Sequence, residues 1–212
     1  MVWQRSTGLT MVNLAPYIRS YQFEHGLRML EKGYIAARDS LEEELKRIEH
    51  DSAAYDLAVA DGADLIAEYD ENGFRLWEQS QVYEAQIADV YSALFEVRKA
   101  FVIALYHYWE DSVAVWMGLN GKSVTHDKLA SYCAKEGYGP SPDLGAVQCL
   151  ANHLKHGRNS REDWLSRLRE NYPLFLPPQT GPMFGLSEDS LFKVVAAILA
   201  SGPNKAISNA AP

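Results

Sequence analysis

Cysteine is scarce in this chain of 212 residues, which contains only Cys133 and Cys149. Their separation excludes a CxxC zinc or redox pair, and two thiols cannot form the disulfide framework of a small secreted domain. Free cysteines are among the most frequently buried residues. We therefore expect two reduced, buried thiols.

Long hydrophobic runs are also missing. A membrane-spanning helix needs roughly 18 to 20 consecutive apolar residues, and no stretch of the sequence reaches that length. The first residues lack the basic segment, apolar run and cleavage site of a secretory signal. These absences predict a cytoplasmic protein that does not contact a membrane.

Positive charge is in short supply, because 20 lysines and arginines stand against 28 acidic residues and give a net charge of −8. This balance excludes a broad basic surface that coats duplex nucleic acid. Residues 151–170 are an exception, since five basic and three acidic residues give this segment +2 while the remainder carries −10. The segment can hold a small anionic group such as one phosphate.

Strand-like alternation of apolar and polar residues is absent, whereas helical periodicity extends over most of the chain. A long amphipathic helix is predicted from Pro16 to about His50. The strongest apolar stripe recurs at steps of three or four residues and comprises Tyr83, Ile87, Val90, Leu94, Val97, Phe101, Leu105 and Tyr108. We predict an all-α fold, an antiparallel helical bundle built on two long helices with shorter C-terminal helices.

The shorter predicted helices follow capping residues and end at glycine or proline. They extend from Ser52 to about Tyr69, from Thr125 or Ser123 to Lys135, from Asp143 to His156, from Ser160 to about Asn171 and, after the capping residue Ser187, from Glu188 to Ala200. Three segments are expected within one compact unit: an N-terminal arm with long helices (1–75), a helical bundle (76–172), and a proline-rich connector, last helix and flexible tail (173–212).

The candidate chemical site lies near the end of the predicted Asp143–His156 helix. It contains Asn152, His153, Lys155, His156 and Arg158. Helical spacing places Asn152 and His156 on one face, with His153 on nearly the same face. His156 is the predicted general base, which takes a proton from a ribose 2′-hydroxyl while His153 or Lys155 gives one to the leaving oxygen. Asn152, Lys155 and Arg158 could donate hydrogen bonds to the phosphate, so the chemistry needs no metal.

Two other interpretations of these residues stay open. Histidine and lysine are favoured at a helix C-terminus and Gly157 is a typical left-handed stop, so the motif can serve only as a cap. A metal site is the second alternative, but the HxxH spacing lacks the glutamate of a zinc-protease helix and no third ligand follows. The sequence therefore predicts no metal and no cofactor.

The other histidines and one carboxylate complete the titratable candidates. His107 is expected to be a core histidine satisfied by a neighbour, and His25, His50 and His126 are expected at the surface. Glu110 lies among aromatic residues, where a carboxylate needs a cationic or donor partner. We hypothesise that it orients His153 or His156 from a facing helix.

Two motifs together resemble a known family. An aromatic helix containing Arg98–Lys99–Ala100 and Ala104–Leu105–Tyr106–His107–Tyr108–Trp109–Glu110 is followed by a shorter helix ending in Asn152–His153–Leu154–Lys155–His156–Gly157. This arrangement resembles the HEPN superfamily, and in particular the branch with a Trp–Glu pair in its central helix. The resemblance covers roughly residues 80–170.

The resemblance implies an α-helical bundle that often dimerises, with paired motifs facing a shared cleft. Many HEPN proteins are metal-independent ribonucleases of bacterial toxin–antitoxin or phage-defence systems. Their signature is an arginine, a polar residue and a histidine four to six positions after the arginine. Asn152 and His156 match the last two, whereas Ala151 takes the place of the arginine. Lys155 or Arg158 would then hold the phosphate.

The resemblance therefore implies RNA cleavage or RNA binding by a homodimer, with an antitoxin or another protein as a further partner. HEPN proteins also include members without catalytic activity that bind nucleotides, RNA or proteins. The alternative expectation is thus a non-catalytic helical module for dimerisation or protein interaction, because a fold is inherited more safely than an activity.

Overall fold

The structure is a computed structural model that describes residues 15–119, 124–157, 163–176 and 185–203. The elements in chain order are α1 (Ala15–Ala60), β1 (Ala67–Tyr69), β2 (Arg75–Glu78), α2 (Gln79–Trp116), α3 (His126–Lys135), α4 (Leu144–His156), α5 (Trp164–Asn171) and α6 (Glu188–Ala200). The predicted all-α fold is confirmed. The small antiparallel sheet of β1 and β2 is an addition to it.

The two long helices, α1 and α2, pack side by side and form the frame of the bundle. Three ring pairs join them in antiparallel order: Phe23 with Tyr108, Tyr34 with Phe101, and Tyr55 with Tyr83. Residue numbers rise along α1 as they fall along α2. The shorter helices pack against the half of this pair that contains the start of α1 and the end of α2.

The main core surrounds α2 and receives side chains from all six helices. Its largest fully buried members are Phe23, Val102, Leu105, Trp109, Val113, Leu129, Leu144, Val147, Leu150, Leu168, Leu191 and Ile198. The Trp109 indole N–H donates a 2.8 Å hydrogen bond to the Ser201 carbonyl, so this large side chain is buried without an unsatisfied donor. The same bond fixes the end of α6 against α2.

A second, smaller core lies further along the long helices. Ile48, Val90 and Leu94 are buried there, with Leu41, Leu45, Tyr83 and Ile87 packed around them. This cluster consists of α1 and α2 residues alone, so the two helices extend as a pair beyond the main core. The β1–β2 sheet lies at the end of this extension.

The predicted break between a first helix ending at about His50 and a second starting at Ser52 is wrong. Helix α1 continues to Ala60, and Ser52 lies inside it. Residues 51–60 contain four alanines, which favour the helical ladder more strongly than an internal serine favours a cap. The predicted helix up to Tyr69 is also wrong, because residues 67–69 form strand β1.

The predicted cap of α5 needs a second correction. Helix α5 begins at Trp164, and Asp163 is its N-cap, with its side chain accepting a 3.0 Å hydrogen bond from the Ser166 amide. Ser160, the predicted cap, lies outside the described residues. The last helix agrees with prediction, since the Ser187 hydroxyl caps α6 by accepting from the Ser190 amide.

Both cysteines are free and buried, as predicted. Burial raises the pKa of the Cys133 thiol to about 11, so this side chain stays protonated and unreactive at neutral pH. Within the described residues, no helix combines the length and apolar character required to cross a membrane.

A side chain of α2 packs directly against a glycine of α1. The Tyr108 hydroxyl lies over Gly26 and donates to the carbonyl oxygens of Gln22 at 3.2 Å and Phe23 at 3.3 Å. A Cβ atom on Gly26 would overlap the Tyr108 hydroxyl and ring. Glycine is therefore required here despite its helix-weakening effect.

Replacing Gly26 by alanine is expected to destabilise the protein by about 1–2 kcal/mol, because displacement of Tyr108 outweighs the gain in helix propensity. Gly33→Ala is the matched control in the same helix, where an added Cβ meets nothing within 4 Å. That variant should gain about 0.5–1 kcal/mol. Urea unfolding followed by circular dichroism measures both changes, and a Gly26→Ala protein as stable as Gly33→Ala would contradict this account.

Candidate functional site

The C-terminal end of α4 presents the predicted site residues at one end of the bundle. Lys155 and His156 are exposed, and Asn152 and His153 are half-buried, whereas Ala151 and Leu154 between them face the core. Gly157 follows the helix with a φ of 58°, a positive value that glycine adopts without strain, but its ψ of −150° differs from the left-handed helical conformation of the predicted stop. Arg158 lies outside the described residues.

Helix α2 contributes an imidazole and a carboxylate to the same place. His107 Nδ1 lies 2.9 Å from Glu110 Oε2, one helical turn away. On the other side of the ring, His107 Nε2 lies 3.4 Å from Lys155 Nζ. An ammonium group can only donate and a carboxylate can only accept, so the neutral ring carries its proton on Nδ1 and its lone pair on Nε2.

This chain of contacts orients His107 for proton transfer. Its side chain is 42% exposed, so the ring can be reached from solvent, while the Glu110 side chain is only 25% exposed. A carboxylate that fixes the tautomer and stabilises the protonated ring is the usual support of a histidine general base. A cation next to the basic nitrogen can hold an anionic substrate there.

A second histidine, His126, lies close to this series of contacts. His126 Nδ1 is 2.9 Å from the Tyr106 hydroxyl, and the His126 ring packs against the rings of Tyr106 and the buried Trp109. Tyr106 is next to His107 in α2, so the contacts extend the polar cluster from α4 through α2 to the start of α3. His126 was expected at the surface but is half-buried, because these two rings lie against it.

Burial sets the protonation states of this second pair. Burial, followed by the nearby Glu110 carboxylate, raises the pKa of Tyr106 well above its usual range, so the phenol keeps its proton. Burial lowers the pKa of His126, against the opposing influence of Asp127 and Glu110. His126 is therefore neutral at neutral pH, and the protonated phenol is able to share a hydrogen bond with it.

The His153 ring is less accessible to a substrate than its place in the sequence motif suggests, because it is half-buried. Its half-buried position lowers its pKa, the Asp163 carboxylate raises it, and the Arg169 guanidinium lowers it, with burial the largest of the three influences. The electrostatic interaction between His153 and Asp163 relates the end of α4 to the N-terminus of α5. His153 thus helps to join two helices, while His156 remains exposed.

Glu110 was hypothesised to orient His153 or His156 from a facing helix, but its hydrogen bond is with His107 of its own helix. Sequence reasoning assigned His107 to the core and so missed it as a site residue. The available signal was the i, i+3 spacing of His107 and Glu110, which lets the two side chains meet on one helix face.

The described residues contain no group of three or more histidine, cysteine, aspartate or glutamate side chains placed to hold a metal ion. The polar cluster instead combines two imidazoles, a phenol, a carboxylate and an ammonium group, formed by His107, His126, Tyr106, Glu110 and Lys155. This set can transfer protons and bind an anion.

Comparison of the chain with protein-family models, with curated proteins and with solved structures finds no match. The resemblance to the HEPN superfamily therefore depends on the two sequence motifs alone.

The lowered pKa of His126 predicts that the protein becomes less stable as the pH is lowered. Below about pH 6.5 the unfolded chain binds a proton at this histidine that the folded chain does not, so acidification favours unfolding. We expect the free energy of unfolding to drop more for the wild type than for His126→Gln between about pH 7.5 and about pH 5.5. Urea titrations at both pH values measure the difference.

His50→Gln is the control for this experiment, because His50 is exposed on α1, far from the cluster. It should retain the wild-type drop. If His126→Gln also retains it, the burial of His126 does not contribute to acid sensitivity.

Proposed function

We propose that the protein is a HEPN-like, metal-independent endoribonuclease that acts through the cluster at the end of α4. The observation that carries the proposal is the sequence of contacts from Lys155 through His107 to Glu110. It joins a cation, a basic nitrogen and an orienting carboxylate across two helices, and α2 and α4 are the same two helices that carry the HEPN-like motifs.

In the proposed reaction, Lys155 moves from His107 to a phosphate oxygen of the RNA. The freed Nε2 of His107 then accepts the proton of the adjacent ribose 2′-hydroxyl. The 2′-oxygen attacks phosphorus, the bond from phosphorus to the 5′-oxygen breaks, and a 2′,3′-cyclic phosphate forms. Glu110 stabilises the imidazolium produced on His107.

The leaving 5′-oxygen needs a proton, and we assign this role to His156. It is exposed, adjacent to Lys155 and at the end of the same helix. Asn152 is half-buried one turn earlier and is proposed to donate a hydrogen bond to the phosphate, as is Arg158. His153 is proposed to support the position of this helix end beside Asp163.

The biological setting is proposed from the HEPN resemblance alone. A ribonuclease of this kind would belong to a bacterial toxin–antitoxin or phage-defence system, with an antitoxin or another protein controlling it. Expression of the wild type should then slow bacterial growth, and expression of His107→Ala should not.

Cleavage of an RNA pool in the presence of EDTA tests the enzymatic proposal. His107→Ala and His156→Ala should each reduce cleavage by about 100-fold or more, because each removes a proton-transfer group. Lys155→Ala should weaken RNA binding. His50→Ala should cleave like the wild type, since this exposed histidine lies far along α1.

Equal cleavage by the wild type, His107→Ala and His156→Ala would mean that a contaminating nuclease is responsible, and the enzymatic proposal would be wrong. If the protein binds RNA through Lys155 but does not cleave it, the protein is an RNA-binding protein and not a ribonuclease. If it neither binds nor cleaves RNA, the non-catalytic helical module is the better description.

A homodimer is proposed from the same resemblance, with two copies of His156 facing each other. Light scattering of the wild-type protein should give the mass of two chains, and a single-chain mass at working concentration would contradict it. Charged substitutions of Leu94 or Phe101 do not test this, because both side chains are buried within one chain. Such variants would unfold the core instead.

A further inference from the structure

The connector between the two long helices, residues 61–78, exposes an unusual combination of side chains. We refer to it as the hairpin connector. It holds six acidic residues and one basic residue, a net charge of −5. Six large apolar side chains are also exposed on it: Leu65, Ile66, Tyr69, Phe74, Leu76 and Trp77.

The turn of the hairpin connector is held in one conformation. The Asp70 side chain accepts hydrogen bonds from the amides of Asn72 at 2.9 Å and Phe74 at 2.8 Å, and the Asp70 amide donates to the Phe74 carbonyl. Gly73 adopts a φ of 80°, which glycine reaches without strain. The apolar side chains are therefore presented by an ordered turn.

The base of the hairpin connector is attached to both long helices. The Tyr55 hydroxyl of α1 accepts a 3.1 Å hydrogen bond from the Ile66 amide, and the Gln79 amide at the start of α2 donates to the Ile66 carbonyl at 2.9 Å. These bonds hold the hairpin beyond the helix ends. Its apolar side chains consequently remain exposed and do not fold back onto the bundle.

Both faces and both outer edges of the sheet are open. Glu68 and Trp77 pair across the strands, and the indole donates a 2.6 Å hydrogen bond to the Glu68 carboxylate, so they share one face. Leu76 has no residue opposite it in β1, because the register shifts between Glu68 and Tyr69, and its side chain is 60% exposed. Within the described residues β1 and β2 pair only with each other, which leaves outer-edge backbone groups able to pair with another strand.

We propose that the hairpin connector is a docking surface for an extended segment of a partner protein, rich in both basic and apolar residues, which pairs with the hairpin as a third strand. Backbone pairing at an open edge is a common mode of peptide recognition. A preformed hairpin reduces the entropy lost on binding. The apolar side chains of the segment would contact Leu76 and Phe74, and its lysines or arginines would lie near Glu68 and the other carboxylates.

Charge decides between this partner and the alternatives. A second copy of the chain would bring two surfaces of net charge −5 together, and like charges oppose such a contact. The same charge repels RNA and anionic lipid headgroups. The only basic residue of the connector, Arg75, forms an ion pair with Glu78, which leaves an acidic surface facing the partner.

This surface is separate from the proposed ribonuclease site. Helix α2 begins beside the hairpin connector at Gln79, and His107 lies 28 residues later, which corresponds to about 40 Å along the helix. A partner docked on the hairpin would leave the end of α4 open. The inference therefore does not depend on the ribonuclease proposal.

Fluorescence anisotropy with labelled synthetic peptides tests the docking surface on the full chain. A peptide of about eight residues that alternates lysine with valine should bind saturably. Peptides of the same length that alternate glutamate with valine, or lysine with serine, should bind at least about tenfold more weakly, because they lack one of the two complementary properties.

The combined substitution of Phe74→Ser and Leu76→Ser should weaken binding of the lysine–valine peptide by about tenfold or more. Phe192→Ser is the matched control, since Phe192 on α6 is 59% exposed and Phe74 is 71% exposed. It should bind like the wild type. Amide NMR of the wild type gives a readout that does not depend on folding of the variants, and peptide-induced shifts should map to residues 67–78.

Three results would overturn the proposal. The first is absent binding by the wild type, or equal binding of all three peptides. The second is binding of the wild type to neutral phosphatidylcholine vesicles that is lost in the double variant, which would identify a membrane surface. The third is self-association of the wild type that is lost in the double variant, which would identify a second copy as the occupant.

Discussion

The rotation of α2 about its own axis is the constraint on which the rest of the structure depends. Val102, Leu105, Trp109 and Val113 are fully buried, and the Trp109 indole must also reach the Ser201 carbonyl. Once this face of α2 is directed into the core, the positions of His107 and Glu110 on an adjacent face are fixed. Packing therefore places the imidazole and the carboxylate beside the end of α4, and no loop has to position them.

The two ends of the α1–α2 pair differ in how many other helices pack against them. At one end α3, α4, α5 and α6 complete the main core together with α1 and α2, and the polar cluster lies at the edge of that core. At the other end only α1 and α2 pack together, over the small group of Ile48, Val90 and Leu94. The polar cluster thus lies at the end where several helices pack together, and the exposed apolar hairpin lies at the end that has few neighbours.

Several features were readable from the sequence because they depend on local spacing. The stripe from Tyr83 to Tyr108 predicted a long helix, Gly157 predicted the end of α4, and Ser187 predicted the start of α6. The predicted break in α1 is wrong. A serine caps a helix only where the helical backbone is interrupted, and the alanines that follow Ser52 favour continuation of the helix. The two short strands β1 and β2 carry too little alternation of apolar and polar residues to be recognised from the sequence.

The sequence by itself determined the helical class of the protein, the acidic balance and the residue types available at the end of α4, because periodicity, charge and chemical identity are properties of the chain. Only the tertiary structure decided which of those residues meet. His107 and Lys155 are 48 positions apart and become neighbours through the packing of α2 against α4. His126 is covered by rings of α2 for the same reason. No local pattern encodes such contacts, since the orientation of one helix against another is set by the shape of the whole core.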